Sequence, residues 1–211
     1  MEFAEFVASI KKKMANPLPG TKSQLKMASM RRLMKFGKIF VPVEARKAGV
    51  LALFYPSNGS ICLVFIKRTE YPGVHGGQIS FPGGGWEEGD KDMVDTALRE
   101  AEEELGVDRV NVFLIGNLTD LFIPPSNFLV TPVVGYTLER PDFNPDPDEV
   151  DRILEISLDH LLNEKTKQEQ EITIFPAIKL KVPCFYVDGH VIWGATAMIL
   201  SELIDVINQE S

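Results

Sequence analysis

Cysteine is scarce: Cys62 and Cys184 are the only two in 211 residues, and both lie in strand-like apolar runs. Two such thiols supply no disulfide framework, and they read as small packing residues in a reducing compartment. Long apolar runs are also missing; none approaches the roughly 18 residues a membrane-spanning helix needs. Glu2 and Glu5 interrupt the amino terminus, which has no signal-peptide core, and the final Asn-Gln-Glu-Ser is no recognised address. A cytoplasmic protein without a membrane partner is expected. Internal repeats and low-complexity tracts are absent, which excludes solenoids and compositionally disordered chains. The basic segment near the amino terminus lacks interleaved aromatics or a reading motif, so nucleic acid is not an expected partner.

What remains is an ordinary globular composition, 45% hydrophobic and 25% charged, long enough for one domain with an extension. The net charge of −8 is unevenly spread. Residues 1–47 hold 11 Lys and Arg against Glu2, Glu5 and Glu44, a balance of +8, so the remainder carries −16. A basic arm beside an acidic region suits a substrate with several phosphates, and solvated helix faces explain it equally well. Residues 1–40 read as a helical extension packed on a domain spanning 41–211. Helical spacing of Phe3, Phe6, Val7, Ile10 and Met14 predicts a helix over 2–15, and Gln24 to Lys38, rich in Met and Lys, reads as a second, looser helix or coil.

The rest of the chain serves the stretch Gly76 to Val107. An apolar run ending in Phe81-Pro82 meets Gly83-Gly84-Gly85, and a helical pattern then runs to Gly106 with Val94, Ala97, Leu98, Ala101 and Leu105 on one stripe. At about 100° per residue, Glu100, Glu103 and Glu104 share one flank of that stripe, while Glu102 points away to solvent. Like charges at these spacings repel by roughly 0.2–0.5 kcal/mol per pair, so folding alone would not select the arrangement. A hard divalent cation, Mg²⁺ or Mn²⁺, removes the repulsion and leaves positions for water and phosphate. A solvated acidic face is the alternative, and the adjoining glycines and Arg99 favour the metal.

Arg99-Glu100-Ala101-Glu102-Glu103-Glu104-Leu105-Gly106-Val107 resembles the second half of the Nudix box, and Gly84 with the glutamate-rich turn after it resembles the first. One departure is an apparent single-residue insertion: Lys91 stands where the pattern has Glu, with Asp90 one place earlier. Upstream, Leu63 to Thr69 followed by His75 to Gly84 is similar to the motif of coenzyme A pyrophosphatases, with Gly73 where that subfamily often has arginine. The likeness covers roughly residues 17–207 and is specific over 61–107. It implies an α/β/α sandwich with a mixed central sheet, and Mg²⁺- or Mn²⁺-dependent cleavage of coenzyme A to 3′,5′-ADP and 4′-phosphopantetheine. Other Nudix substrates (ADP-ribose, nucleotide sugars, dinucleotides, nucleoside triphosphates) form the second reading, and a non-catalytic nucleotide sensor the third. The repelling carboxylates argue against the sensor.

Glu100, Glu103 and Glu104 are the expected metal ligands, with Arg99 orienting one of them. Gly83 and Gly84 let backbone approach metal and phosphate. Arg46 and Arg68 are candidates for phosphate binding or for surface ion pairs. His75 could donate to phosphate or bond within its own loop, and Gln78 could reach substrate or point outward. Glu149 could act as base on the attacking water; alternatively Asp146-Pro147-Asp148-Glu149 is a capped helix start. Phe122, Phe128 and Trp193 could shape a substrate pocket or fill the core, and His160 and His190 read as structural. Apolar β-type runs predict strands at 46–55, 60–67, 78–81, 110–118, 130–138, 172–175 and 178–186, with a proline-containing loop at 121–129. Helices are predicted at 158–162 and 193–207. The exposed faces of the terminal helices leave room for a homodimer.

Overall fold

Leu51, Leu53 and Tyr55 face one side of a central strand while Ala52 and Phe54 face the other, and all five are fully buried. A strand apolar on both faces must lie between two layers. In the computed structural model, which describes residues 2–35, 40–70, 76–175 and 178–210, that strand is β1 (Arg46–Ser57). It turns back into β2 (Ser60–Arg68) through Asn58 and Gly59, whose φ values of 49° and 76° make a tight hairpin of the kind Asn-Gly favours.

Six more strands complete the main path and its offshoots, beginning with β3 (Ile79–Ser80), β4 (Gly83–Gly85) and then, after helix α4 (Met93–Leu105), β5 (Phe113–Asn117) and β6 (Leu121–Ile123). They are followed by β7 (Phe128–Tyr136) and β8 (Val150–Ser157). The order is β3-β2-β1-β7-β5, with β4 on β1, β6 on β7 and β8 on β2. β1 and β7 run parallel from Arg46↔Phe128 to Phe54↔Tyr136, and the other pairings are antiparallel. The sheet is therefore mixed, as expected.

Helices cover both faces. Ala97, Ala101 and Leu105 of α4 pack with Leu51, Leu53, Tyr55, Val64, Ile66 and Val133. On the other face, Phe6 and Ile10 of α1 (Phe3–Met14) join Phe54, Leu63 and Phe65, together with Leu200 and Leu203 of α6 (Gly194–Ile207). Burying each such large side chain contributes about 2 kcal/mol. The α/β/α sandwich is complete. Short helices α2 (Thr21–Gln24), α3 (Met30–Lys35) and α5 (Leu158–Leu162) connect the layers. A smaller sheet, β9 (Lys167–Phe175), β10 (Ile178–Val187) and β11 (His190–Trp193), contributes Phe185 and Ile192 to the α6 core.

Several basic residues of the arm tie it down. Lys11 Nζ donates to the Tyr136 hydroxyl at 3.2 Å, and Lys13 Nζ to the Ile207 carbonyl at 2.6 Å. Gln24 Nε2 donates to the Thr119 carbonyl and to buried Glu202. Among the described residues no helix is long and apolar enough to cross a membrane.

Four expectations change. Asp146 starts no helix; its side chain accepts from the Asp148 N–H in a turn that leads directly into β8, a strand the sequence reading omitted. β8 alternates charged and apolar residues only from Leu154 onward, which hides its period. The loop expected at 121–129 contains β6 and the start of β7. The strand expected from Val110 begins at Phe113, because Asp108 caps a single 3₁₀ turn at 109–111. The helix or coil expected over 24–38 divides into a 3₁₀ turn at Leu25–Met27 and a short helix at Met30–Lys35, and residues 36–38 lie outside the described residues.

Candidate metal and phosphate site

The position of α4 follows from glycine. A Cβ on Gly49 of β1 would lie 2.3 Å from the Met93 carbonyl and 2.9 Å from the Ala97 nitrogen, so the helix rests directly on the strand backbone. Asp92 caps its start by accepting from the Val94 and Asp95 N–H groups, and Gly106 ends it at φ 69°. The terminal carbonyls are then closed from outside. Asn144 N–H donates to Leu105 O at 2.8 Å, and Asp146 N–H to Glu104 O at 3.1 Å. The loop after β7 thus serves as a C-cap and delivers Glu149 to the same edge of the helix.

Glu100, Glu104 and Glu149 each offer a carboxylate oxygen within 4.8 Å of the others. Glu104 is fully buried: Oε2 accepts from the Gly83 N–H at 2.7 Å, and Oε1 lies 3.0 Å from Arg68 Nη2 without an aligned hydrogen bond. Burial pushes its carboxyl up to about 7, against the pull of Arg68 and the Gly83 amide. Burial also raises Glu100. A Cβ on Gly84 would fall 2.5 Å from the Glu100 carboxylate, so only glycine leaves that carboxylate its place. A buried carboxylate oxygen that faces Arg68 without an aligned hydrogen bond, beside two further carboxylates, belongs to the donor set a hard divalent cation requires, and these residues fit one.

The other expected residues divide. Glu103 stays outside the cluster, 58% exposed, with its carboxylate on Arg99 Nη1 at 2.8 Å. Arg99 also contacts Glu100 at 3.0 Å and donates to the Gly85 carbonyl at 2.9 Å. Glu102 points away to Arg109. Arg68 is engaged at home, donating to the Gly83 carbonyl at 2.6 Å beside Glu104. Arg46 lies over the Phe128 ring at 4.0 Å and donates to the Ser126 carbonyl. The Gln78 carbonyl accepts from the Arg68 N–H and so holds the strand pairing beside the site. His75 and Gly73 lie outside the described residues.

Sequence reasoning noticed Asp90 and missed its role. Its nearly buried carboxylate accepts from Arg99 Nε at 2.9 Å and Nη2 at 3.0 Å, from Thr96 Oγ1 and from the Glu87 N–H. Arg99 holds it well below the usual carboxylate range. The signal was present: a carboxylate one place before the position where the box expects its acid. Asp90→Ala is expected to cost about 2 kcal/mol, measured by urea unfolding, because it leaves part of a nearly buried guanidinium unpaired.

Arg68→Met is expected to act through Glu104. Loss of that cation removes an influence that lowers the Glu104 pKa. The pH of half-maximal metal-dependent activity should move up by about one unit, read from a pH–rate profile. An unchanged profile would show that Arg68 does not act on Glu104.

The NUDIX domain model matches residues 45–177. Nudix hydrolase 22, chloroplastic, of Arabidopsis thaliana is 36% identical over 182 residues, 82% of this chain and 60% of that protein. The mitochondrial coenzyme A diphosphatase NUDT8 of Homo sapiens is 29% identical over 171 residues, 80% of this chain and 72% of that protein. The crystal structure of RenU, a Nudix hydrolase from M. smegmatis, superposes with a TM-score of 0.54 over 77% of this chain and 85% of its own, at 16% identity, a likeness of fold. The chain spans 60% of the length of the plant relative. A domain match over more than half of its length, on a fold of the same kind, makes the chain a member of the Nudix family.

Proposed function

We propose that the chain is a metal-dependent pyrophosphohydrolase that cleaves the diphosphate bridge of coenzyme A or its acyl forms, giving 3′,5′-ADP and 4′-phosphopantetheine or its acyl form. The observation that carries the reading is the convergence of Glu100, Glu104 and Glu149 beside the Gly83–Gly84 backbone, with one buried carboxylate oxygen that accepts no aligned hydrogen bond. Mg²⁺ or Mn²⁺ held there would neutralise phosphoryl charge and make water nucleophilic at neutral pH. Glu100 and Glu104 would hold the ion in this reading, and exposed Glu149 would take a proton from the attacking water at a carboxylate oxygen. Arg99 fixes Glu100, and Arg68 with the Gly83 amide fixes Glu104. Water adds to phosphorus, the bridging P–O bond breaks, and the leaving phosphate departs with the bridging oxygen.

Coenzyme A as substrate is supported by the sequence motifs Leu63–Thr69 and His75–Gly84 and by the likeness to a human coenzyme A diphosphatase. A reducing compartment such as the cytoplasm is supported by Cys62 and Cys184, both buried and unpaired. The test is incubation of purified protein and Mg²⁺ or Mn²⁺ with coenzyme A, ADP-ribose and a nucleoside triphosphate in turn. Appearance of 3′,5′-ADP with 4′-phosphopantetheine is expected. Cleavage of only the other two substrates would overturn the assignment of substrate, and cleavage of none would overturn the assignment of activity.

A further inference from the structure

A groove of about 770 Å³ adjoins the carboxylate ridge, with Arg46, Lys47, Gly85, Trp86, Lys91 and Phe128 in its walls. Backbone connects the two places. Gly84 abuts Glu100, and the next carbonyl, of Gly85, accepts from Arg99.

Trp86 is 47% exposed and meets no other ring among the described residues. It is nonetheless held in place: its indole N–H donates to the Asp90 carbonyl at 3.1 Å, and its backbone N–H to the Lys47 carbonyl at 2.9 Å. A bare aromatic surface that is already fixed loses little entropy when a planar ligand stacks on it. Phe128 is covered by the Arg46 guanidinium, itself held by the Ser126 carbonyl, which makes a second planar surface with a positive charge.

Charge in the groove is unbalanced. Its acidic members are already committed, Asp90 to Arg99 and Asp92 to the start of α4. The ammonium groups of Lys47 and Lys91 have no hydrogen-bond or ion-pair partner among the described residues, and the Lys91 backbone N–H donates to the Asp95 carboxylate. A second groove, of about 600 Å³ near α6, differs on this point: its Lys26, Lys167 and Lys181 pair with Asp205, Glu164 and Glu169. Only the first groove combines a fixed bare ring with uncompensated ammonium groups beside the carboxylates. That combination recognises a planar base carrying phosphate.

We propose that this groove binds the nucleoside end of the diphosphate substrate, with the base stacked on Trp86 and a phosphate outside the cleaved bridge paired with Lys47 and Lys91. The inference rests on the pyrophosphohydrolase reading, and its test is metal-free so that the two can fail separately.

Intrinsic tryptophan fluorescence of the full chain is titrated with 3′,5′-ADP, 5′-AMP and 4′-phosphopantetheine in chelator. The expected result is quenching by both nucleotides, with 3′,5′-ADP bound roughly tenfold more tightly than 5′-AMP and phosphopantetheine inert. Trp86→Phe should remove the fluorescence change while keeping affinity measured by calorimetry, since a ring remains for stacking, and Trp86→Ala should weaken both nucleotides. The double variant Lys47→Ala/Lys91→Ala, on the surface and expected to fold, should erase the preference for 3′,5′-ADP. In turnover it should raise KM for coenzyme A several-fold with a smaller change in kcat. Unchanged affinities and preference in the lysine double variant, or equal binding of phosphopantetheine, would overturn the inference even if the wild-type enzyme cleaves coenzyme A. Nucleotide binding with these dependences in a protein that cleaves no diphosphate would uphold the groove and overturn the activity.

Discussion

Glu104→Gln is expected to reduce metal-dependent hydrolysis roughly a thousandfold while making the metal-free protein more stable above pH 7. The two effects have one origin. Burial holds the Glu104 carboxyl up to about 7 in the folded chain, against 4.5 as its ordinary value. The folded state therefore binds this proton more tightly than the unfolded chain does. That contribution is fully present below about pH 4.5 and is lost as pH rises through about 7. Above it, metal-free wild-type protein carries a buried negative charge close to Glu100 and Glu149, a cost on the order of 3 kcal/mol. Glutamine carries no such charge, so thermal unfolding at pH 8 in chelator should show the variant higher in Tm than the wild type. Adding Mg²⁺ should reverse the order, because only the wild type offers the cation its full set of carboxylates. A variant that lost activity without this crossing of stabilities would show that Glu104 acts otherwise than as a cation ligand.

Gly49→Ala is expected to have the largest effect on folding. Its new methyl would meet the Met93 carbonyl at 2.3 Å and the Ala97 nitrogen at 2.9 Å, both backbone atoms of α4. Neither can rotate away, so the helix must lift from β1. The loss should be about 3 kcal/mol or more, roughly a 10 °C fall in Tm for a chain of this size. Gly84→Ala provides the contrast. There the obstruction, at 2.5 Å, is the end of the Glu100 side chain, which can swing. The fold should survive while metal affinity falls roughly tenfold or more, measured by Mn²⁺ titration. Equal loss of stability in both variants would refute the distinction between the two glycines.

These cases show which parts of the molecule were legible in the sequence. α4, its caps and its buried stripe depend on neighbours within one or two turns, and their spacing encodes them directly. The β1–β2 hairpin was equally plain, because Asn58-Gly59 selects its own turn. Glu103 was grouped with Glu100 and Glu104 by helical angle. Angle specifies a flank and says nothing of the partner waiting there, and Arg99 takes the Glu103 carboxylate. The Asp146–Glu149 stretch was misread as a helix start because its side chains suit one. The decisive bonds come from the far end of α4, whose open carbonyls recruit the Asn144 and Asp146 amides. Asp90 likewise gains its role only when the turn after Gly85 folds back on Arg99. Local chemistry was readable, and long-range satisfaction of polar groups was not.

The connection from Tyr136 to Val150 contains no helix or strand, yet its length is constrained at both ends. The peptide carbonyl of Glu104 is bonded to this segment three residues before Glu149, while the carboxylate of Glu104 faces Glu149 across the site. The spacer between the two acids is thereby gauged against the end of a helix. A residue added or removed between Asp146 and Glu149 would leave both acids present in the sequence and separate them in space. Homologues that vary this surface segment freely ahead of Asn144 should still hold the count of residues after it.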